Sequence, residues 1–245
     1  MEYREITPIN GISSFVKCFW EYKNNNSDIQ HTIFPNGHFE LFMIFYQQDL
    51  VDVFLSGLRS KPFDVEIPRD VTVSAVRFKL LAAEYVFDMK ISSILDTIMT
   101  LDLHYWNLKE SEHLSFEDRI LKITHNIHEI ISNKEVDPGK LLLLETVYKL
   151  DMTVKEVSDV VQWDRRKINR YFNAQFGLSL KTFHNIVRLR NAFESVKEGL
   201  LYPERDYYDQ SHYIKEFKKY TGKSPKQLSK NEDDRFLQFS LKTEP

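Results

Sequence analysis

The chain has 245 residues, with 33 Lys and Arg against 36 Asp and Glu, and is 42% apolar and 13% aromatic. That content fills real cores and excludes a mainly disordered chain, and the length predicts two domains. A single cysteine, Cys18, excludes an intrachain disulfide framework or a multi-cysteine zinc site. The opening MEYREITPIN shows no basic-then-apolar leader, and no apolar run approaches the ~18 residues of a membrane helix. The expectation is a soluble cytoplasmic protein with no membrane partner.

Phe15 to Tyr22 is short, aromatic and β-prone. His31 to Phe34, the turn Pro35-Asn36-Gly37 and then His38 to Tyr46 read as a hairpin, because Asn-Gly supplies the positive φ of a tight turn. Leu41-Phe42-Met43-Ile44-Phe45 is nearly continuous and apolar, which predicts a strand buried on both faces. Val51 to Leu58 and Val71 to Phe78 are further strands, bounded by Gly57, Pro62 and Pro68. Several short strands punctuated by turns predict a small barrel or sandwich. From about Ile91 the pattern becomes helical. Phe116, Ile120, Ile123, Ile127, Ile130 and Ile131 recur at three- and four-residue steps, giving one amphipathic helix that ends near Asn133. Asp137-Pro138-Gly139 is the clearest boundary, since proline at a helix start costs no hydrogen bond, and Leu141 to Leu150 follows as a new helix. The expected class is α+β. It comprises a β-rich barrel or sandwich over 1–105, a helical linker over 106–136, an all-α domain with two helix-turn-helix units over 137–230, and a tail over 231–245.

Charge divides the same way. Asp137 to Lys230 carries 18 Lys and Arg against 12 Asp and Glu, while the remainder carries 15 against 24. A basic part on an acidic part points to a polyanion-binding domain.

The basic part repeats at an offset of 45. Asp164, Ile168, Arg170, Phe172, Gly177, Ser179 and Lys181 correspond to Asp209, Tyr213, Lys215, Phe217, Gly222, Ser224 and Lys226. In the first copy Thr153-Val154-Lys155-Glu156 has the form of a capping box, and Val154, Val157 and Val161 make the stripe of a short helix. Gln162-Trp163 breaks it, Asp164 caps a second helix to about Gln175, and Gly177 stops that helix. Two short helices with a tight turn form a helix-turn-helix.

On a wheel of about 100° per residue with Ile168 at zero, Phe172 and Tyr171 share its face. Arg166, Asn173 and Arg170 lie opposite, with Asn169 to one side and Arg165 and Lys167 on the flanks as phosphate contacts. Arg, Asn and Arg are the side chains that read guanine and adenine edges in a major groove. No Glu or Asp falls between Arg165 and Gln175, unlike an ordinary solvated helix face. In the second copy Tyr213 and Phe217 face inward, while Ser211, Lys215 and Lys218 face outward with Gln210 and His212 on the flanks. Glu216 makes this copy less basic, and weaker binding is expected from it. Phe183, Ile186, Leu189, Phe193 and Val196 predict a connecting helix stopped at Gly199. It is long enough to hold the two outward helices about one DNA turn apart.

These residues are similar to the DNA-binding domain of the AraC/XylS family of bacterial transcription regulators, over about Asp137 to Leu228. The first copy reads DRRKINRYFNAQFGLSL and the second YYDQSHYIKEFKKYTGKSP, which matches the family's basic-x-Phe, then Gly-x-Ser-Pro, pattern. The resemblance implies sequence-specific binding to promoter DNA by both recognition helices, through Arg166, Asn169 and Arg170, then Gln210, Ser211 and Lys215. Leu180 stands where the family has Pro, and Gln162 and Asp206 where a turn Gly is common. Pro203 falls within the second scaffold helix, which is expected to shorten and begin there. The N-terminal part resembles, through Pro-Asn-Gly, Leu55-Ser56-Gly57 and Val76-Arg77-Phe78, the β-rich domain ahead of this module in one branch of the family. Such a domain implies ligand sensing, dimerisation or both. The partners implied are double-stranded DNA, RNA polymerase, a small-molecule effector and a second copy of the chain.

The rival reading is a metal-binding or enzymatic β-barrel tethered to a DNA-binding module. His31, His38 and Glu40 would supply its ligands, but they read more simply as surface residues beside a turn. His125 and His128 have ligand spacing on a helix without an evident third ligand. Cys18 reads as a buried apolar thiol, and Phe34, Phe39, Phe42, Phe45 and Phe54 as core. A protein-interaction module that has lost its second DNA contact is a third reading. Catalytic frames are absent, so no enzyme activity, metal or cofactor is expected. Arg235 to Phe239 reads as either an added strand or a tail.

Overall fold

The structure, a computed structural model, describes residues 2–8, 11–149, 152–197, 200 and 210–230. Strands β1 (Glu2–Ile6), β2 (Val16–Asn24), β3 (Ile29–Ile33), β4 (Phe39–Tyr46), β5 (Asp49–Ser56), β6 (Phe63–Ile67) and β7 (Val71–Phe78) come first. A short helix α1 (Ala82–Tyr85) and a 3-10 turn, Ile91–Ile94, separate β7 from β8 (Ile98–Thr100). The larger sheet has the order β1-β2-β7-β4-β5-β8, and β3 and β6 form a second sheet; every pairing is antiparallel. The chain is α+β, and among the described residues the sheets are confined to the N-terminal part.

The predicted hairpin through Pro35-Asn36-Gly37 does not form. β3 pairs with β6, while β4 pairs with β5 and β7, so this turn carries the chain from one sheet to the other. Gly37 does take a positive φ, +75°. The two runs part because their side chains differ. β4 buries Phe39, Leu41, Met43 and Phe45 on one face and half-buries Phe42 and Ile44 on the other, which suits an interior strand. β3 is more polar, and its Thr32 hydroxyl donates to Asp64 of β6 at 2.6 Å.

Strands β1, β6 and β8 were not expected. β1 is charged, and its Arg4 bridges Glu21 and Glu117, each at 2.8 Å, partners that only the folded chain brings near. The helical pattern expected from Ile91 gives two 3-10 turns and strand β8 as far as Ser111. In the turn Tyr105–Ser111, Trp106 and Asn107 both have positive φ. Helix α2 (Phe116–Ser132) supports them: Asn126 and Lys122 donate to the Trp106 and Asn107 carbonyls at 2.9 and 2.8 Å. α2 ends at Asn133, as predicted.

The rest of the described chain is helical: α3 (Pro138–Thr146), α4 (Val154–Val161), α5 (Arg165–Phe176), α6 (Leu180–Lys197), α7 (Gln210–Thr221) and α8 (Pro225–Lys230). Asp137 caps α3 by accepting from the Gly139 and Lys140 amides. One apolar core runs from beneath the larger sheet, through α2 and α3, into α4–α8, so the β-rich and helical parts share buried surface. A smaller core of Cys18, Trp20, Tyr22, Ile67, Val71, Val73 and Ala75 involves strands of both sheets. No helix among the described residues is long and apolar enough to cross a membrane. The expected stop at Gly199, the scaffold helix near Pro203, Asp206 and Asp209, and the tail 231–245 lie outside the described residues.

Candidate nucleic-acid interface

Helix α4 begins with the predicted capping box. Thr153 Oγ1 accepts from the Glu156 amide at 3.3 Å, and Glu156 Oε2 accepts from the Thr153 amide at 2.7 Å. Val157 and Val161 are buried, and α4 ends at Gln162 in the left-handed conformation, φ 55°. That is where the resemblance favours glycine. Here polar side chains hold the turn: Gln162 Nε2 donates to the Asp159 carbonyl and Ser158 Oγ donates to the Trp163 carbonyl. Asp164 then caps α5, accepting from the Arg166 and Lys167 amides, both at 2.9 Å. The Lys167 and Arg166 amides together hold its carboxyl below the ordinary range.

Helix α5 buries Ile168, Phe172 and Phe176 and leaves Arg165, Arg166, Lys167, Arg170 and Asn173 exposed. The Lys167 ammonium lies 3.6 Å from the centroid of the Trp163 ring, so its stem is laid against the turn. The exposed surface of α5 therefore presents four cations and the Asn173 amide, with no carboxylate among them. Asn169 sits differently from its neighbours. It is half-buried, donates to the Arg165 carbonyl at 3.0 Å, and accepts from the Leu180 amide at 3.3 Å. Leu180 stands where the resemblance favours proline, and its amide is what Asn169 binds.

The repeat has a physical basis. Gly177 and Gly222 both occupy the left-handed region, φ 73° and 71°, and end α5 and α7. Ser179 and Ser224 then accept from the Thr182 and Gln227 amides, capping α6 and α8. Lys181 and Lys226, each two residues past its cap, are exposed. They were paired by the offset but not placed among the site residues, and the repeat itself was the signal for them.

Helix α7 buries Tyr213 and Phe217 and exposes Gln210, Ser211, Lys215 and Lys218. Glu216 is half-buried and accepts from Asn185 of α6 at 3.0 Å, which ties it to the connecting helix. α6 has 18 residues, roughly 27 Å of helix, and buries Phe183, Ile186, Leu189, Phe193 and Val196 as predicted.

The residues of the rival metal reading have other surroundings. His31 and His38 are not surface residues: they are 0% and 4% exposed, and Glu40 is also buried. The His31 ring meets the Tyr22 hydroxyl at 3.2 Å. His38 stacks on Tyr148 at 5.2 Å, because the turn at Gly37 is covered by α6 rather than by water. Burial, with Arg190, Arg77 and Lys17 nearby, holds His38 well below the ordinary imidazole range. Glu40 pairs with Arg77 at 2.6 Å. Among the described residues no group of three or more His, Cys, Asp or Glu is placed to hold a metal ion. Cys18 is fully buried, and burial pushes its thiol up to about 12. Phe34, Phe39 and Phe45 are buried, whereas Phe42 and Phe54 are half-buried and stack at 4.8 Å. His125 lies 3.4 Å from Glu129 on the exposed side of α2.

Residues 4–100 match the model of a family described as a domain of unknown function, DUF6597. No curated protein sequence matches the chain. Among solved structures the chain is similar to ToxT from Vibrio cholerae. One ToxT structure is 12% identical, covers 86% of this chain and 96% of its own, and has a TM-score of 0.42. A second is 11% identical, with 86% and 95% coverage and a TM-score of 0.44. A third, bound to (E)-4-(8-methylnaphthalen-1-yl)but-3-enoic acid, is 11% identical, with 94% and 98% coverage and a TM-score of 0.43.

Proposed function

We propose that this chain is a sequence-specific DNA-binding transcription regulator of the AraC type, in which α5 and α7 read successive major grooves. The carrying observation is the outward surface of α5, where Arg165, Arg166, Lys167, Arg170 and Asn173 stand exposed without a carboxylate. Arg166 and Arg170 are the guanine readers, and Asn173, whose Nδ2 donates to the Asn169 carbonyl at 2.8 Å, reads adenine after exchanging that bond. Asn169, engaged at the Leu180 amide, orients the turn and reads a base only after exchanging that bond. In the second copy Gln210, Ser211 and Lys215 face the bases, and Lys218 faces a phosphate. Arg165, Lys167, Lys181 and Lys226 grip the backbone and set the register. The N-terminal domain senses a small-molecule effector, pairs two copies of the chain, or both, and the bound protein acts on transcription by RNA polymerase.

The test is selection of randomised duplex DNA by the full chain at about 150 mM salt. Two conserved blocks about one helical turn apart are expected. A single block would leave α7 gripping only the backbone. No enrichment, by the full chain or by residues 137–230, would overturn the reading.

A further inference from the structure

The N-terminal domain holds the back of the first recognition helix. Glu84, on α1, receives two donors from the helical part: the Tyr171 hydroxyl of α5 on one carboxylate oxygen and the Lys140 ammonium of α3 on the other. Four residues on, Gln175 Nε2 donates to the Met89 carbonyl at 2.6 Å. Ser92 Oγ donates to the Ala174 carbonyl at 2.8 Å. That carbonyl is in the last turn of α5, where helix carbonyls lack an intrahelical partner. Leu95 and Ser92 pack so closely on Gly177 that a Cβ there would lie 3.0 Å from Leu95 Cδ2. The strip from Glu84 to Leu95 thus touches α5 along its last two turns.

The side on which it touches decides what it can do. Tyr171 lies about 140° around the helix from Arg166 and about 160° from Asn173. The grip is on the back, and the outward residues stay exposed while it is made. A strip lying over the outward face would occlude DNA; one on the back fixes the angle at which that face is presented. The hydroxyl in the grip is a firm donor, since burial and the Glu84 hydrogen bond hold Tyr171 far above the ordinary phenol range. Burial works against the Lys140 charge, but Glu84, with Tyr85 and Asp137 nearby, more than offsets it, so the ammonium stays charged.

We propose that Glu84 is a positioning residue for base reading, so that the strip 84–95 of the N-terminal domain forms part of the first DNA-reading head. This rests on the DNA-binding reading above. Bidentate base contacts depend on angle far more than phosphate contacts do, so releasing the grip should cost sequence preference before it costs general affinity.

The test uses the full chain and two variants, Glu84→Gln and Tyr171→Phe. Tyr171→Phe removes a single oxygen and keeps the ring against the core. Each is expected to bind the selected duplex roughly tenfold more weakly, the size of one charge-assisted hydrogen bond. Base preference should relax at the block read by α5 and stay at the block read by α7. Affinity for random duplex should hold, and the double variant should lose little more than either single one. Unchanged preference in both variants would overturn the proposal, as would equal losses at the two blocks, which mark general destabilisation. If the unaltered chain enriches no sequence, the DNA-binding reading itself fails; if it does and the variants match it, only the positioning role fails.

Discussion

Arg166 and Arg170 differ from Lys167 in what they are placed to do. The two arginines stand on the outward surface of α5, while Lys167 is laid against Trp163 at its edge. Arg166→Ala and Arg170→Ala should each cost about 1–3 kcal/mol of DNA binding and relax preference at particular bases. Lys167→Ala should weaken binding on every sequence alike and make the salt slope shallower by about one. Competition assays with base-substituted duplexes separate the two patterns; uniform loss for the arginines would reassign them to phosphates. Two buried histidines make a pH prediction. Burial and Arg188 lower His184 to about 4, and His38 is also held well below the ordinary value. Above pH 6.5 both states are neutral and the native state has its full stability. As pH falls below that, the unfolded chain takes up protons that the native state refuses, until pH about 4. His184 alone should remove about 2 kcal/mol of stability by pH 5. Denaturant midpoints measured from pH 7 to 5 should fall, and His184→Gln should flatten the decline.

Element ends carry much of the local order. Thr153, Asp164, Ser179 and Ser224 each cap a helix with a side-chain oxygen, and Gly177 and Gly222 supply the left-handed residue that closes one. Thr153→Ala should cost about 1 kcal/mol of stability in thermal unfolding. Gly177→Ala should cost more than Gly222→Ala, although the two φ angles are nearly equal. A Cβ at Gly177 meets Leu95 at 3.0 Å, while among the described residues nothing lies within 4 Å at Gly222. Equal midpoints for the two would mean that the N-terminal strip yields freely at α5.

For the whole molecule the two parts are joined by more than a linker. Tyr148, two residues past α3, donates to the Gly37 carbonyl at 3.1 Å and accepts from the Leu80 amide at 3.2 Å. Phe34 packs on Phe193 of α6 at 5.4 Å. A single cooperative unfolding transition is therefore expected by calorimetry, not two separated by domain. Arg165, Arg166, Lys167, Arg170, Lys181, Lys215, Lys218 and Lys226 are all exposed. Neutralising phosphates with the five assigned to the backbone, Arg165, Lys167, Lys181, Lys218 and Lys226, gives a log-log salt slope of about -4.5.

Local chemistry made much of the helical part legible. The capping box at Thr153, the cap at Asp164, the stop at Gly177 and the repeat at 45 residues all depend on neighbours within one or two turns. The same locality made β7 and the end of α2 readable. The β-rich part was read less well, because strand pairing is settled between segments far apart in the chain. Pro35-Asn36-Gly37 had the local form of a hairpin, yet β3 found β6 and β4 found β7. Charged β1 needed Glu21 and Glu117 to become a strand. His31 and His38 looked like surface residues until the fold buried them. Asn169 shared the wheel of the outward residues, but a turn eleven residues on supplied the Leu180 amide that occupies it. The sequence alone determined which helix carries the cations. Only the tertiary structure decided that Glu84, 87 residues earlier than Tyr171, holds that helix from behind, because such a contact has no periodicity to announce it.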